Sequence, residues 1–321
     1  MNTTVLVTGG AGFIGSNIAR ELLSRKYRVK IIDNLSTGRM ENLKDIRKKV
    51  QFIRGDIRNL QTVQRVMKGA DYVLHQAALP SVPRSINNPL ASHDVNVNGT
   101  FNVLLAARDN KVKKVVLASS SSIYGNRKNF GTRKIVHKKE VMKPLPLSPY
   151  AANKLIGEEY AKVFSHIFKV PTVCLRYFNV FGPHQDPKSE YAAVIPKFIS
   201  LLLQGKQPII FGDGSQSRDF TYIDNVVQAN ILAMLSKQAI HGETLNIACG
   251  ESSTLLKITR TIATALGRKN KPKFGPVRAG DVKSSLADIS KAKKFIGYKP
   301  TVKLKEGLRL TVAWYQANIK T

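Results

Sequence analysis

Thr8-Gly9-Gly10-Ala11-Gly12-Phe13-Ile14-Gly15 decides the fold of this 321-residue chain. The stretch follows an apolar run, Thr4 to Thr8, and opens a helical pattern at Phe13. A glycine loop between strand and helix receives a pyrophosphate. Glycines at 9, 12 and 15 let the backbone turn sharply, approach an anion closely and pack helix on strand, while the helix N-terminus offers unpaired N–H groups. Phe13 and Ile14 fall inside the same contact. Asp33 ends the second apolar run, 18 residues after Gly15, where a carboxylate accepts hydrogen bonds from both hydroxyls of an adenosine ribose. That favours NAD over NADP, whose 2'-phosphate would meet a negative charge; Arg39 and Arg58 lie close enough in sequence to soften the preference. Asp56, after the third apolar run, is placed either to reach the adenine edge with Ile57 beside it or to cap a helix.

Working outward, the first half alternates β-rich runs with helical patterns, as βαβ units of a parallel sheet do. Strands are expected at Thr4 to Thr8, Val29 to Asp33, Val50 to Arg54, Tyr72 to His75, Val115 to Ser119 and Thr172 to Arg176. Helices are expected at Phe13 to Arg25, Leu60 to Met67, Leu90 to Arg108 and Pro149 to Phe168, the last capped by Ser148 with Pro149 at its first position. After Arg176 the rhythm breaks and Gly and Pro become frequent. The expected fold is therefore α/β, a doubly wound parallel sheet of Rossmann type with a smaller C-terminal substrate-binding lobe. Residues 1–176 plus about 221–248 form the dinucleotide-binding domain, and about 177–220 plus 249–321 form the lobe.

At 43% hydrophobic residues the chain can bury a large core, which argues against disorder. The N-terminus enters a strand pattern directly and no 18-residue apolar run occurs, so the expectation is a soluble, cytoplasmic protein with no membrane insertion. Cys174 and Cys249 have no C-x-x-C spacing and read as two core thiols; no metal site is expected. The formal charge of +30, from 51 Lys and Arg against 21 Asp and Glu, attracts polyanions or anionic substrates without choosing among them. The densest stretch, Asn126 to Lys143, carries Arg127, Lys128, Arg133, Lys134, Lys138, Lys139 and Lys143 against Glu140, and reads as a solvated basic surface. Without zinc-finger spacing or a basic helix backed by heptads, nucleic acid is not expected as a partner.

Tyr150 and Lys154, four apart on one predicted helix, share a face and can enter one cleft together. A phenol is a poor base at neutral pH unless positive charge lowers its pKa. Ser119-Ser120-Ser121-Ser122-Ile123-Tyr124-Gly125 closes the fifth strand, where open α/β sheets carry functional residues.

These features together resemble the extended short-chain dehydrogenase/reductase superfamily, and within it the UDP-hexose and UDP-N-acetylhexosamine 4-epimerases. The resemblance runs from Thr4 to Tyr315. It is carried by Thr8 to Gly15, Asp33 to Gly38, His75-Gln76-Ala77-Ala78, Ser119 to Gly125, Tyr150-x-x-x-Lys154, Arg176 to Pro183, Ser217-Arg218-Asp219-Phe220 and Arg278-Ala279-Gly280-Asp281. It implies NAD as cofactor, with Asn34, Ser36, Thr37, Gly38, Ala77, Ala78 and Leu79 along the dinucleotide, Asn96 in support and Tyr177 near the nicotinamide. For the UDP-sugar it implies Asn179, Ala193, Val194, Arg218, Arg278 and Asp281, with Ser81, Ser121 and Ser122 toward the sugar. By the same resemblance Tyr150 is the base, Lys154 lowers its pKa and bonds the nicotinamide ribose, and Ser120 bonds the reacting oxygen, a role its neighbouring serines can share. The implied reaction is oxidation at sugar C4 to a transient ketone, rotation of the sugar and hydride return to the other face, with no net redox.

A 4,6-dehydratase would carry an Asp-Glu pair where this chain has Ser121 and Ser122. A decarboxylase or reductase on the same fold, and a catalytically silent dinucleotide sensor, remain as alternatives. Ser285 aligns with the position that is a bulky Tyr in epimerases restricted to UDP-glucose and UDP-galactose, and is small in those accepting acetamido sugars. The expected substrates are UDP-N-acetylglucosamine and UDP-N-acetylgalactosamine, with the plain hexoses weaker. A uronic-acid version stays open because Arg84 and the basic loop can tolerate a carboxylate. Family resemblance also implies a homodimer packed through Leu90 to Arg108 and Pro149 to Phe168.

Overall fold

Every residue of Thr4–Thr8 is buried, as required of a strand covered by helices on both faces. Val5 and Val7 enter one core and Leu6 the other, because side chains alternate across a strand. The computed structural model of the chain describes residues 3–126, 136–187, 193–238, 241–276 and 284–318. In order these give β1 (Thr4–Thr8), α1 (Phe13–Ser24), β2 (Arg28–Asp33), β3 (Gln51–Arg54), α2 (Leu60–Met67), β4 (Tyr72–His75), α3 (Val82–Asn87), α4 (Pro89–His93), α5 (Gly99–Asp109) and β5 (Lys114–Ser120). The second half contributes β6 (His137–Lys138), α6 (Pro149–Ile167), β7 (Thr172–Tyr177), β8 (Val180–Phe181), α7 (Val194–Leu203), β9 (Ile209–Phe211), β10 (Ser217–Asp219), β11 (Thr221–Tyr222), α8 (Ile223–Leu235) and β12 (His241–Ile247). Last come β13 (Ser252–Thr254), α9 (Leu255–Ala265), β14 (Lys273–Gly275), β15 (Leu286–Ala287), α10 (Ser290–Ile296) and α11 (Leu304–Asn318).

A seven-stranded sheet runs β3-β2-β1-β4-β5-β7-β12, with every pairing parallel. This is the Rossmann-type sheet expected from the glycine loop. The chain leaves β1 for β2 on one side and returns to β4 on the other, so a crevice opens past the carboxyl ends of these strands. Beyond Tyr177 the short strands pair off the sheet, β8 with β11, β9 with β14 and β10 with β13, while β15 pairs with the earlier β6. Cys174 and Cys249 are buried free thiols. No helix among the described residues is long and apolar enough to cross a membrane.

Two readings need correction. The single helix expected at Leu90 to Arg108 is broken. Asn88 caps α4 by accepting the Ala91 N–H, with Pro89 just inside it, and a wider π-type turn at Asp94–Asn98 separates α4 from α5. That turn places Asn96 where its side chain accepts from Leu79 N at 2.9 Å and donates to Leu79 O at 3.0 Å. The seventh strand, β12, escapes periodicity because it opens on His241-Gly242-Glu243 and has only Leu245 and Ile247 as apolar residues.

Candidate active site

The glycine loop is shaped by contacts that leave no room for side chains. Gly9 has φ +68, and a Cβ there would lie 2.6 Å from Ala77 N; one on Gly15 would lie 2.2 Å from Gly9 O. Gly12 begins α1 with no side-chain cap, so the first-turn N–H groups of the helix remain for an anion. The loop forms one wall of a cleft of about 730 Å³.

Asp33 stands opposite, buried, with Oδ2 accepting Ala11 N at 2.9 Å and Oδ1 accepting Leu35 N at 2.8 Å. Each carboxylate oxygen keeps a lone pair for one ribose hydroxyl. Burial raises the Asp33 pKa and the two backbone donors oppose it. The arginines that could have welcomed a 2'-phosphate are engaged elsewhere. Arg39 pairs with Asp186 at 2.8 Å across the cleft mouth, and Arg58 bridges Asp56 and Asp94. Asp56 is no helix cap; Asn59 caps α2 by accepting Thr62 N. Asp56 lines the cleft instead, where Arg58 and Asn34 bond its carboxylate and hold its pKa down at about 2.

At the inner end Tyr150 and Lys154 lie one turn apart on α6, with Lys154 Nζ 6.0 Å from the Tyr150 ring centroid. Burial pushes the Tyr150 pKa up to about 12, against a hydrogen bond with Ser120 that lowers it. Burial likewise draws Lys154 down to about 8, and its Nζ donates to Ala118 O at 2.8 Å. The lowering expected from Lys154 together with an oxidised nicotinamide has to act against this desolvation. Ser120 Oγ accepts from Ser122 N at 3.2 Å and from Ser122 Oγ at 2.9 Å, so its own proton is left for Tyr150 or a reacting oxygen. Tyr177 is held by Asn230 Nδ2, which donates to its hydroxyl at 2.9 Å, and it donates to Gln76 Oε1 at 3.2 Å.

Of the residues expected at the cofactor, Gly9, Gly12, Phe13, Ile14, Gly15, Asp33, Asn34, Ser36, Thr37, Gly38, Asp56, Ile57, Ala77, Ala78, Tyr150, Lys154 and Tyr177 all line this cleft, as do Ser81 and Ala193 from the substrate set. Leu79 and Asn96 stand behind the lining and fix its loop. Ser120, Ser121, Ser122, Asn179, Val194, Arg218 and Ser285 are not among the lining residues. Asn179 donates to Asp219 O at 2.8 Å, and Arg218 sits on β10 beside the segment that Ser285 N joins through Ser217 O at 3.0 Å. Arg278 and Asp281, with Arg127, Lys128, Arg133 and Lys134, lie outside the described residues. Sequence reasoning passed over Gln76 and Asn230, which position Tyr177, and Ser119, which lines the cleft beside Ser120. The motif His75-Gln76-Ala77-Ala78 was the available signal for the first of these.

A parallel doubly wound sheet with a glycine loop, a cleft carboxylate at the end of the second strand and a Tyr/Lys/Ser set defines a nucleotide-dependent enzyme of the short-chain dehydrogenase/reductase type. Residues 5–248 match the NAD dependent epimerase/dehydratase family, and the chain belongs to it. It is 39% identical over 319 residues to a putative UDP-glucose 4-epimerase of Methanocaldococcus jannaschii, covering 99% of this chain and 100% of that one. The UDP-N-acetylglucosamine 4-epimerase from Methanobrevibacter ruminantium M1, solved in complex with UDP-N-acetylmuramic acid, is 42% identical with a TM-score of 0.91 over 99% of both chains. The UDP-glucuronic acid 4-epimerase from Bacillus cereus, solved with UDP-glucuronic acid and NAD, is 34% identical with a TM-score of 0.89, covering 98% of this chain and 99% of that one.

Proposed function

We propose that this NAD-dependent UDP-sugar 4-epimerase interconverts UDP-N-acetylglucosamine and UDP-N-acetylgalactosamine, with the plain UDP-hexoses as weaker substrates. The cleft fits the cofactor: Gly9 and Gly15 leave a cradle that a Cβ would fill, and Asp33 faces it with two acceptor oxygens. Bound NAD supplies a hydride acceptor and a positive charge beside the phenol. Tyr150 takes the proton of the C4 hydroxyl, Ser120 donates to the same oxygen, and Lys154 stabilises the resulting phenolate. The uncapped start of α7 at Ala193 and the Arg218 guanidinium hold the diphosphate while the sugar turns. Residues 1–176 with about 221–248 serve the cofactor, and the remainder serves the UDP-sugar.

The observation that carries the acetamido preference is Ser285, a small side chain in a segment tied to β10 beside Arg218. A small residue leaves room for the C2 acetamido group in both sugar orientations. The similarity to the UDP-N-acetylglucosamine 4-epimerase of Methanobrevibacter ruminantium M1 supports the same reading. Arg84 lines the cleft and favours a second reading, in which the sugar carries a carboxylate. Rates on acetylated, plain and uronic UDP-hexoses before and after Ser285→Tyr test the gate. The acetylated substrate should lose at least about tenfold relative to the plain one, a steric difference near 1.4 kcal/mol. An unchanged ratio refutes the gate, and exclusive turnover of the uronic sugar selects the second reading.

The enzyme works as a cytoplasmic homodimer in this proposal. Leu90 is 79% exposed on α4, and Val163 and Ile167 are exposed on α6, which gives the paired helices an apolar face to bury. A monomeric mass in solution would refute the dimer.

A further inference from the structure

Behind the cleft wall, one buried polar cluster touches each element that delivers a reaction-site side chain. Glu158 lies one turn beyond Lys154 on α6; its side chain is 1% exposed, and that of Arg176 on β7 is 4% exposed. Arg176 donates from Nε to Glu158 Oε1 at 2.9 Å and from Nη2 to Oε2 at 2.6 Å. Ser119, directly before Ser120 on β5, donates from Oγ to the same Oε1 at 2.5 Å. Arg176 also stacks 4.7 Å over the Tyr124 ring, whose hydroxyl donates to Asn246 on β12 at 2.7 Å.

We infer that Glu158 is a positioning residue of the epimerase: it ties α6 to the ends of β5 and β7, and its charge stabilises the Lys154 ammonium. Stability alone gives no reason for charge here, since apolar residues of equal volume in place of a buried ion pair are often neutral or stabilising. The groups facing Lys154 are Tyr150 and Glu158 on its own helix, Cys174 on β7 and His75 on β4, with the Ala118 carbonyl on β5. Burial lowers the Lys154 pKa, and negative charge on Cys174 or Glu158 would raise it. Burial holds the Cys174 thiol well above its ordinary value, so it is uncharged near neutral pH, and His75, held down at about 3, is neutral too. Glu158 is the carboxylate of that set, and Arg176 and Ser119 donate to its oxygens.

The inference rests on Lys154 serving the proposed reaction, and the test separates the two. Glu158→Gln alone strands a buried Arg176, so the variant to compare is the charge-balanced pair Glu158→Gln with Arg176→Met, beside Ser119→Ala. In NAD-loaded protein the Cε resonance of Lys154, assigned by its loss in Lys154→Met, is titrated alongside the pH profile of kcat. In the double variant the Lys154 midpoint should fall by about a few tenths of a pH unit, because the departing Arg176 cation offsets part of the lost attraction, and the alkaline limb of kcat should move with it. Ser119→Ala should lower kcat about tenfold with KM unchanged, because the strand end bearing Ser120 loses its tether. A merely structural pair would lower Tm and leave both titrations in place. That result, or a Ser119→Ala enzyme with wild-type kcat, overturns the inference. A wild type that binds NAD but epimerises no UDP-sugar overturns the reaction itself.

Discussion

Gly15→Ala places a methyl group where the backbone of the same loop already stands. The new Cβ would lie 2.2 Å from Gly9 O, 2.8 Å from Gly10 Cα and 2.9 Å from Gly9 C. Ordinary contacts of this kind begin near about 3.4 Å, so the loop and the helix start must separate by roughly 1 Å. The loop has little freedom to yield. Gly9 N donates to Ile32 O at 2.8 Å, Gly9 O accepts Gly12 N at 3.1 Å, and Ala77 N blocks Gly9 from retreating. The displacement therefore falls on α1, whose uncapped first-turn N–H groups are the ones proposed to bond the pyrophosphate, and lengthening those bonds by that amount removes most of their strength. Loss of even one charge-assisted bond, about 1.5 to 3 kcal/mol, weakens cofactor binding by roughly ten- to a hundredfold. NAD retained by the purified protein and titration of stripped protein measure this directly. Gly157→Ala is the control, since its Cβ would meet only Thr100 at 3.7 Å on the interior of α6. NAD affinity within about threefold of wild type in Gly15→Ala, a difference of roughly 0.6 kcal/mol, would refute the reasoning.

Tyr150→Phe should keep NAD bound yet lose roughly 100- to 10,000-fold in epimerisation, the range of a general base, and a variant retaining more than about a tenth of the rate removes Tyr150 from that role. His75 has its pKa held down at about 3 by burial first and by Lys154 second. The folded state thus refuses a proton that the unfolded chain accepts near pH 6.5, so its contribution is present above that value and is lost as pH falls toward 3. Comparing unfolding free energies of wild type and His75→Gln, the wild type should lose about 2 kcal/mol relative to the variant between about pH 7 and about pH 5. The comparison cancels Asp219, raised to about 7 by burial, which acts in the opposite direction over the same range. A pH-independent difference between the two proteins would show that His75 titrates normally.

The parts of the fold legible in the sequence are those whose physics is local. Thr4–Thr8 carries three consecutive apolar residues, Val5, Leu6 and Val7, and leads into a glycine loop, and Ser148 with Pro149 starts α6 at its observed first residue. The helix expected from Leu90 starts within one residue of α4, which Asn88 and Pro89 open, but its interruption at Asp94–Asn98 has no local signal. Other features depend on distant partners. Nothing near Asn96 says that a widened turn will aim it at Leu79, 17 residues earlier, because the reward lies in satisfying that loop's backbone N–H and C=O. The active-site set divides in the same way. Tyr150 and Lys154 announce themselves by helical spacing, whereas Ser119, Glu158 and Arg176 converge from β5, α6 and β7. Their meeting is fixed by the register that pairs Ser119 with Arg176 across adjacent strands. Glu158 repeats the four-residue step from Lys154 and could have been flagged by it, but a carboxylate one turn from a lysine usually signals an exposed helix pair worth a few tenths of a kcal/mol. Only burial separates the two cases. Burial is a property of the assembled sheet, so this charge acquires its bearing on Lys154 only once β5, β7 and α6 have closed over it.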